Sequence, residues 1–164
     1  MDVILVEPAF PLNQRHFARA LHAVGARVIG IGERPKEALD GELRHWLHHY
    51  EQIGNVCHEP SLEKAVRWCM GRSNIQRLEA TVEAHVMAAA KVRERLGIPG
   101  TSVRTAFLCR DKPAMKEALR KAGIPCAQSL GTNSPEEARQ FLQQVGFPLV
   151  LKPCLLYTSD AADE

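Results

Sequence analysis

Apolar residues in the first third of the chain form short continuous runs separated by a segment of helical periodicity. Residues 2 to 7, D-V-I-L-V-E, and residues 27 to 31, R-V-I-G-I, predict two buried strands. Between them, from about residue 13 to residue 24, apolar side chains recur at helical spacing, and Gly25 ends the pattern. A strand, a helix and a second strand joined by short links predict a parallel pair with a right-handed crossover.

The same alternation continues to residue 109. Further strands are expected at residues 48 to 53 and 75 to 81. Helices are expected at residues 36 to 39 (extending to 47 in a longer version), 61 to 70 with Ser61 as N-cap, 83 to 96, and 102 to 109. We therefore predict an α/β fold whose N-terminal part is an open parallel sheet flanked by helices.

A helix with its start and stop signals follows at residue 111. Asp111 is the expected N-cap, Pro113 lies in the first turn, and Gly123 followed by Pro125 ends the helix. The next run, residues 126 to 130, predicts an extended segment.

A second helix has an even clearer N-terminal signature. Ser134, Pro135 and Glu137 form a capping box with proline at the first helical position, and Gly146 ends the apolar stripe. Residues 149 to 152 then predict another extended segment. Two helices and two strands in this order predict a small α+β unit, with both helices packed on one face of a short sheet.

The same stretch carries a family resemblance. The motif R-D-K…A-G-I-P…S-P-E-E-A…G-F-P-L-V-L-K-P resembles the opening of an ATP-grasp domain, shared by biotin carboxylase, carbamoyl phosphate synthase and carboxylate–amine ligases. In that family the lysine of the D-K pair and the lysine of V-L-K-P contact nucleotide phosphates. The resemblance thus implies that Lys112 and Lys152 bind the cofactor ATP. It implies no catalytic residue and no metal ligand here, because the family's Mg²⁺ ligands lie further downstream.

The resemblance also implies a domain organisation. Residues 1 to 100 correspond to the pre-ATP-grasp, Rossmann-like domain, and residues 101 to 153 to the start of an ATP-grasp domain that is cut off. The final string, C-L-L-Y-T-S-D-A-A-D-E, resembles a translated library adapter. We therefore expect residues 154 to 164 to be non-native, and the chain to be an N-terminal fragment.

For the intact protein the resemblance implies an ATP-dependent ligase. ATP converts a small-molecule carboxylate into an acyl phosphate, and an amine displaces the phosphate; the fragment itself is expected to be inactive. The alternative within the family is a carboxylating enzyme like biotin carboxylase or carbamoyl phosphate synthase. The alternative of another class is a non-catalytic α/β binding or regulatory domain. A homo-oligomer is possible for the intact protein.

Composition narrows the class without changing this interpretation. With 45% hydrophobic and 24% charged residues, the 164-residue chain is typical of a globular protein. A net charge of +2 gives no reason to expect a nucleic-acid partner. No apolar run approaches the length of a membrane span, and no signal peptide begins the chain. The five cysteines lack metal-like spacing, so reduced thiols in the cytoplasm are expected.

Three other features are candidate sites. Gly30 and Gly32 form a G-x-G, but a dinucleotide fingerprint belongs after the first strand, so these glycines more simply allow close approach of neighbouring strands. Histidines 45, 48 and 49 suggest a metal only if they share a helix face, and a solvated surface is the simpler interpretation. Glu79 and Glu83 flank the carboxyl edge of the predicted sheet, where a substrate contact competes with stabilisation of the following helix.

Overall fold

The structure is a computed structural model that describes residues 1 to 152. Contacts between backbone positions divide the chain into two compact units, the first spanning Met1–Ala106 and the second beginning at Phe107. The predicted domain boundaries at residues 100 and 153 rest on the family resemblance and stay predictions. The segment expected to be non-native, residues 154 to 164, lies outside the described residues.

Four parallel strands form the sheet of the first unit. Strand β1 spans Asp2–Val6, β2 Arg27–Gly32, β3 His49–Gln52 and β4 Ile75–Glu79, in the spatial order β3-β2-β1-β4. All three pairings are parallel. Every residue of β1 is buried, as expected for a central strand covered on both faces. The predicted open parallel sheet is confirmed.

Helices cover both faces of this sheet because strand side chains alternate between them. On one face, Ile4 and Ile31 join a core formed with α3 (Glu59–Met70) and α4 (Glu83–Arg95). On the other, Leu5 and Val28 pack with α1 (Arg15–Ala23) and α2 (Gly41–Trp46). The result is a three-layer arrangement of helices, sheet and helices.

Two helix boundaries differ from their predictions. Helix α3 begins at Glu59 with His58 as N-cap, so Ser61 is not the cap. Pro60 explains the earlier start, since proline is preorganised for the first helical turn. The region predicted as one helix from residue 36 is a 3₁₀ turn, Lys36–Ala38, followed by the separate helix α2, which Asp40 caps through Leu43 N.

The remaining helices are α5 (Val103–Arg110), α6 (Lys112–Lys121) and α7 (Pro135–Val145). The Asp111 side chain accepts from Ala114 N at 2.8 Å, which confirms the predicted N-cap of α6. Ser134 accepts from Glu137 N at the start of α7, which is one half of the predicted capping box. The other half does not form, because Ser134 N donates to Thr132 Oγ1 and the Glu137 carboxylate accepts from the Thr132 hydroxyl. Gly123 and Gly146 follow these two helices with φ of 71°, the left-handed conformation that glycine tolerates best.

The two extended segments predicted in this region are not strands. Between residues 107 and 152 the structure contains no strand, so the small α+β sheet is absent from the described part of this unit. The chain after α6 instead folds back along that helix, with Ile124 N donating to Leu119 O at 3.0 Å and Arg120 bonded to Ser129 at 3.0 Å. A short extended run forms a strand only where a neighbouring strand completes its hydrogen bonds.

Among the helices that the structure describes, none has the length and apolar character needed to cross a bilayer.

Candidate functional site

The carboxyl edge of the sheet brings polar side chains from several elements together. The chain moves from β1 outward to β2 and β3, and then crosses back to place β4 on the other side of β1. In open parallel sheets such a reversal leaves a crevice beyond the strand ends, and ligands bind there. The carboxyl end of β1 is therefore the first candidate position for a ligand-binding site in the first unit.

Glu7 follows directly after β1 and is the most unusual residue of this edge. Its φ of 52° is left-handed, a conformation that costs a non-glycine residue about 1–3 kcal/mol, and it is only 5% exposed. Its carboxylate accepts from Glu33 N at 2.8 Å, while its own N donates to Ile31 O at 2.7 Å. Burial, with the nearby Glu33 carboxylate adding to it, raises the pKa of Glu7.

Glu33 and Tyr50 extend this network across the edge. The Glu33 carboxylate accepts from Val56 N at 2.9 Å, which fixes the loop leading into α3. The Tyr50 hydroxyl donates to Arg34 O at 2.7 Å, and burial raises its pKa so that it remains a neutral donor. A single polar network thus links the ends of β1, β2 and β3.

The two glycines of β2 allow this close packing. A Cβ added at Gly30 would lie 2.8 Å from Tyr50 Cδ2. One at Gly32 would lie 2.6 Å from Tyr50 Oη and 3.1 Å from Glu7 Oε1. Both glycines therefore serve close approach of neighbouring side chains, which confirms the simpler interpretation of the G-x-G.

On the β4 side of the crevice lie a buried amide and a buried imidazole. The Gln14 side chain, 5% exposed, accepts from the Thr81 hydroxyl. His85 lies in the first turn of α4 and is 9% exposed, and its Nδ1 has no hydrogen-bond partner within residues 1 to 152. Burial lowers the pKa of His85, and the Glu33 carboxylate opposes that shift. A neutral imidazole with an unused ring nitrogen is available here.

The two glutamates singled out in the sequence have different positions. Glu79 Oε2 accepts from Arg93 Nη1 at 3.2 Å, and Arg93 is a buried arginine that also donates to Leu78 O and Thr101 O. Glu79 thus balances an internal cation. Glu83 is exposed in the first turn of α4, where a carboxylate stabilises the helix dipole. Neither position tests the predicted substrate contact.

Lys112 and Lys152 both belong to the second unit. Along the sequence, Lys112 lies near its start and Lys152 is the last described residue. Lys112 is the first residue of α6, and its ammonium donates to Cys109 O at 2.6 Å at the end of α5. Lys152 is exposed and lies in irregular structure, so its predicted position on a strand is wrong. No contact between these two side chains is described, and their role in binding phosphates stays a prediction.

Sequence reasoning missed the buried network of the first unit. Only Glu7 carried a signal, as an acidic residue that ends an apolar run. Tyr50, His85 and Glu33 converge with it because of the strand order, which local patterns do not contain. The histidines considered as metal ligands lie apart from one another. The ring centroids of His45 and His22 are 5.3 Å apart, while the His49 ring stacks on Trp68. Within residues 1 to 152 no group of three metal-binding side chains forms.

Known proteins share much of this sequence and fold. No family model matches the chain. It is 34% identical over 157 residues to an alanine–anticapsin ligase of Bacillus subtilis, covering 96% of this chain and 33% of the relative. An L-arginine-specific L-amino acid ligase of the same species is 25% identical over 111 residues, covering 68% of this chain and 27% of the relative. The chain therefore spans about a third or less of the curated relatives that it matches.

Two solved structures share the fold. An L-amino acid ligase from Bacillus licheniformis matches with a TM-score of 0.61 at 13% identity, over 88% of this chain and 42% of its own. The biotin carboxylase domain of the 2-oxoglutarate carboxylase from Hydrogenobacter thermophilus, a dimer in complex with MgADP, ADP and bicarbonate, matches with a TM-score of 0.66 at 19% identity. That match covers 89% of this chain and 33% of the carboxylase domain.

The close approach at Gly32 yields a test by substitution. We expect Gly32→Ala to lower the free energy of unfolding of the first unit by about 1–3 kcal/mol, because the new methyl group overlaps the Tyr50 hydroxyl. Gly41→Ala is the matched control: a methyl group added there would have no atom within 4 Å, so it should be neutral or slightly stabilising. Urea unfolding followed by tryptophan fluorescence reports on the first unit, since Trp46 and Trp68 both lie there. Equal effects of the two substitutions would contradict the packing described.

Glu7 yields a pH-dependent test. Because its pKa is raised in the folded state, its contribution to stability is full below the pKa of the unfolded chain and is lost as the pH rises through the folded value. Gln keeps the acceptor for Glu33 N but cannot ionise. We therefore expect the stability of Glu7→Gln relative to the native sequence to increase between about pH 4 and pH 7, measured by urea unfolding. Glu37→Gln, at an exposed carboxylate, should show no such trend. A flat difference for Glu7→Gln would show that its carboxyl is not destabilised by burial.

Proposed function

From its kinship with the ATP-grasp ligases, we propose that the chain forms the substrate-side domain and the first part of the ATP-binding domain of a carboxylate–amine ligase. In this reaction ATP phosphorylates a small-molecule carboxylate, and an amine displaces the phosphate from the acyl phosphate. The observation that carries the proposal is the 34% identity with an alanine–anticapsin ligase over 96% of the chain. The motif from Arg110 to Pro153, which resembles the opening of an ATP-grasp domain, agrees with it.

Within the first unit, the carboxyl edge is the proposed substrate-facing surface. It carries buried carboxylate, phenol and imidazole groups in place of apolar packing, and it holds Glu7 in a strained conformation. Strain and unneutralised buried charge cluster at functional sites in proteins. Glu79 and Glu83, at the turn from β4 into α4, remain the substrate contact proposed from the sequence, with stabilisation of α4 as the simpler alternative role.

For the second unit we propose that Lys112 and Lys152 contact the nucleotide phosphates. Both ammonium groups are on exposed residues, and a lysine acts on phosphate as a mobile point charge. Within residues 1 to 152, the Lys112 ammonium bonds to a backbone carbonyl, from which a phosphate can draw it away. We assign no Mg²⁺ ligand within residues 1 to 152. Location in the cytoplasm and homo-oligomerisation remain expectations.

The carboxylating alternative is supported by fold, through the biotin carboxylase domain in complex with MgADP and bicarbonate. It also has sequence support, since the carbamoyl phosphate synthase large chain of Vibrio cholerae is 25% identical over 149 residues, covering 88% of this chain and 14% of the relative. A non-catalytic α/β domain is less well supported, because the chain is 34% identical to a ligase over 96% of its length. The two enzymatic reactions differ in their need for bicarbonate, which makes them separable by experiment.

The test of the reaction uses a protein in which residues 1 to 153 are followed by the rest of their native reading frame. We expect Mg·ATP to be converted to ADP when two amino acids are supplied, with no dependence on bicarbonate. ADP release that requires bicarbonate would favour the carboxylating alternative. The 164-residue chain, assayed in parallel, should release no ADP above background; amino-acid-dependent release would show that it is active.

The lysine proposal is testable in the 164-residue chain by NMR. We expect Mg·ATP to bind weakly, with a Kd on the order of millimolar, and to shift the amide signals around Lys112 and Lys152. The double substitution Lys112→Gln, Lys152→Gln should abolish these shifts. Lys121→Gln is the control, since this lysine lies at the other end of α6 and pairs with Glu117 at 2.7 Å. Shifts that persist in the double variant would contradict the assignment.

A further inference from the structure

A polar cavity lies at the amino-terminal edge of the sheet. The candidate substrate edge is at the other ends of the same strands. It is about 220 Å³ in volume and opens between β2, β3 and the end of α3. Ile29 and Cys69 belong to its apolar lining, and both are buried. Burial raises the pKa of the Cys69 thiol to about 11, so this group is neutral at physiological pH.

The polar lining consists of hydrogen-bond donors beside one aromatic ring. These side chains are His48, His49, Trp68, Arg72 and Ser73, and no carboxylate is among them. Of the two nearby acidic groups, one is paired outside the lining and the other is bonded to a lining histidine.

Asp2 is bound by the Arg27 guanidinium, with Nε 2.8 Å from Oδ1. Glu51 lies 3.4 Å from His49 Nε2. The fixed charge of the lining is therefore the Arg72 guanidinium, since Asp2 is neutralised by Arg27 and Glu51 is bonded to His49.

Arg72 is held in place by the aromatic ring. Its Cζ lies 3.8 Å from the centroid of the Trp68 ring, and its Nη1 donates to Trp68 O at 3.2 Å. The His49 ring in turn stacks on Trp68 with centroids 5.0 Å apart. This stack fixes the guanidinium while leaving its other N–H groups without a described protein acceptor.

Carbonyl groups at the end of α3 already accept hydrogen bonds, which bears on whether the cavity prefers a cation or an anion. At the end of α3, Cys69 O accepts from Arg72 N at 3.0 Å and from Ser73 N at 2.9 Å. Arg67 O accepts from Gly71 N at 3.1 Å. Because acceptors are used and donors remain, the cavity favours an anion over a cation.

We propose that this cavity binds a small oxyanion, a phosphate or carboxylate group, between the Arg72 guanidinium, the Ser73 hydroxyl and the His48 imidazole. A volume of about 220 Å³ accommodates such a group together with a few waters. The site is independent of the proposed ligase reaction, since it lies at the other edge of the sheet.

The test is an NMR titration of the 164-residue chain with sodium phosphate and, separately, sodium acetate, with sodium chloride adjusted to keep ionic strength constant. We expect saturable shifts confined to the amides of residues 48, 49 and 68 to 73. Saturation by phosphate alone identifies a phosphate site, and saturation by both identifies a general oxyanion site.

Arg72→Gln should weaken this binding roughly tenfold, because it removes a charge-assisted contact. Arg19→Gln on α1 is the matched control and should leave binding unchanged, since α1 packs on the other face of the sheet. If Arg72→Gln disturbs the fold by circular dichroism, Ser73→Ala supplies the test, with a smaller expected loss. Absence of saturable shifts, or equal binding by the Arg72 and Arg19 variants, would overturn the proposal.

Discussion

The burial of β1 on both faces is the constraint on which the first unit depends. With every residue of this strand inside, the polar groups at its two ends must find partners within the protein. At the amino end Asp2 is paired with Arg27, and this bond holds the pKa of the Asp2 carboxyl below its usual range. At the carboxyl end Glu7 accepts from a backbone N–H, and burial with the Glu33 carboxylate raises its pKa although the Arg34 guanidinium opposes that shift.

This asymmetry separates the roles of the two edges. An ion pair with a bidentate arginine stabilises the strand where it begins. A buried carboxyl that forms no ion pair among the described residues, in a left-handed backbone, opposes folding where the strand ends. Proteins retain such local conflicts mainly where function requires them. The carboxyl edge is therefore the better candidate for a substrate-facing surface than the edge with the satisfied pair.

How much is predictable depends on how local each signal is. The four strands, the helices that cover them and the caps Asp111 and Ser134 all follow from the sequence, because each depends on neighbouring residues. The motif that ends at Pro153 also predicts a resemblance to carboxylate–amine ligases, and the chain is 34% identical to an alanine–anticapsin ligase over 157 residues. The two extended runs of the second unit are wrongly predicted as strands, because a strand forms only beside another strand that completes its hydrogen bonds. Glu33, Tyr50 and His85 escape prediction because strand order, not sequence proximity, brings them to Glu7.

The contact made by Lys112 does not weigh against a role with phosphates. Its ammonium bonds to Cys109 O, a neutral acceptor on the surface, and water competes for both groups there. A phosphate oxygen carries charge and forms stronger, shorter bonds with an ammonium group. Exchange of the carbonyl for a phosphate is thus favourable wherever the phosphate is already held nearby. Under the proposed role of Lys112, the carbonyl at the end of α5 is the resting partner of the ammonium group in the absence of phosphate.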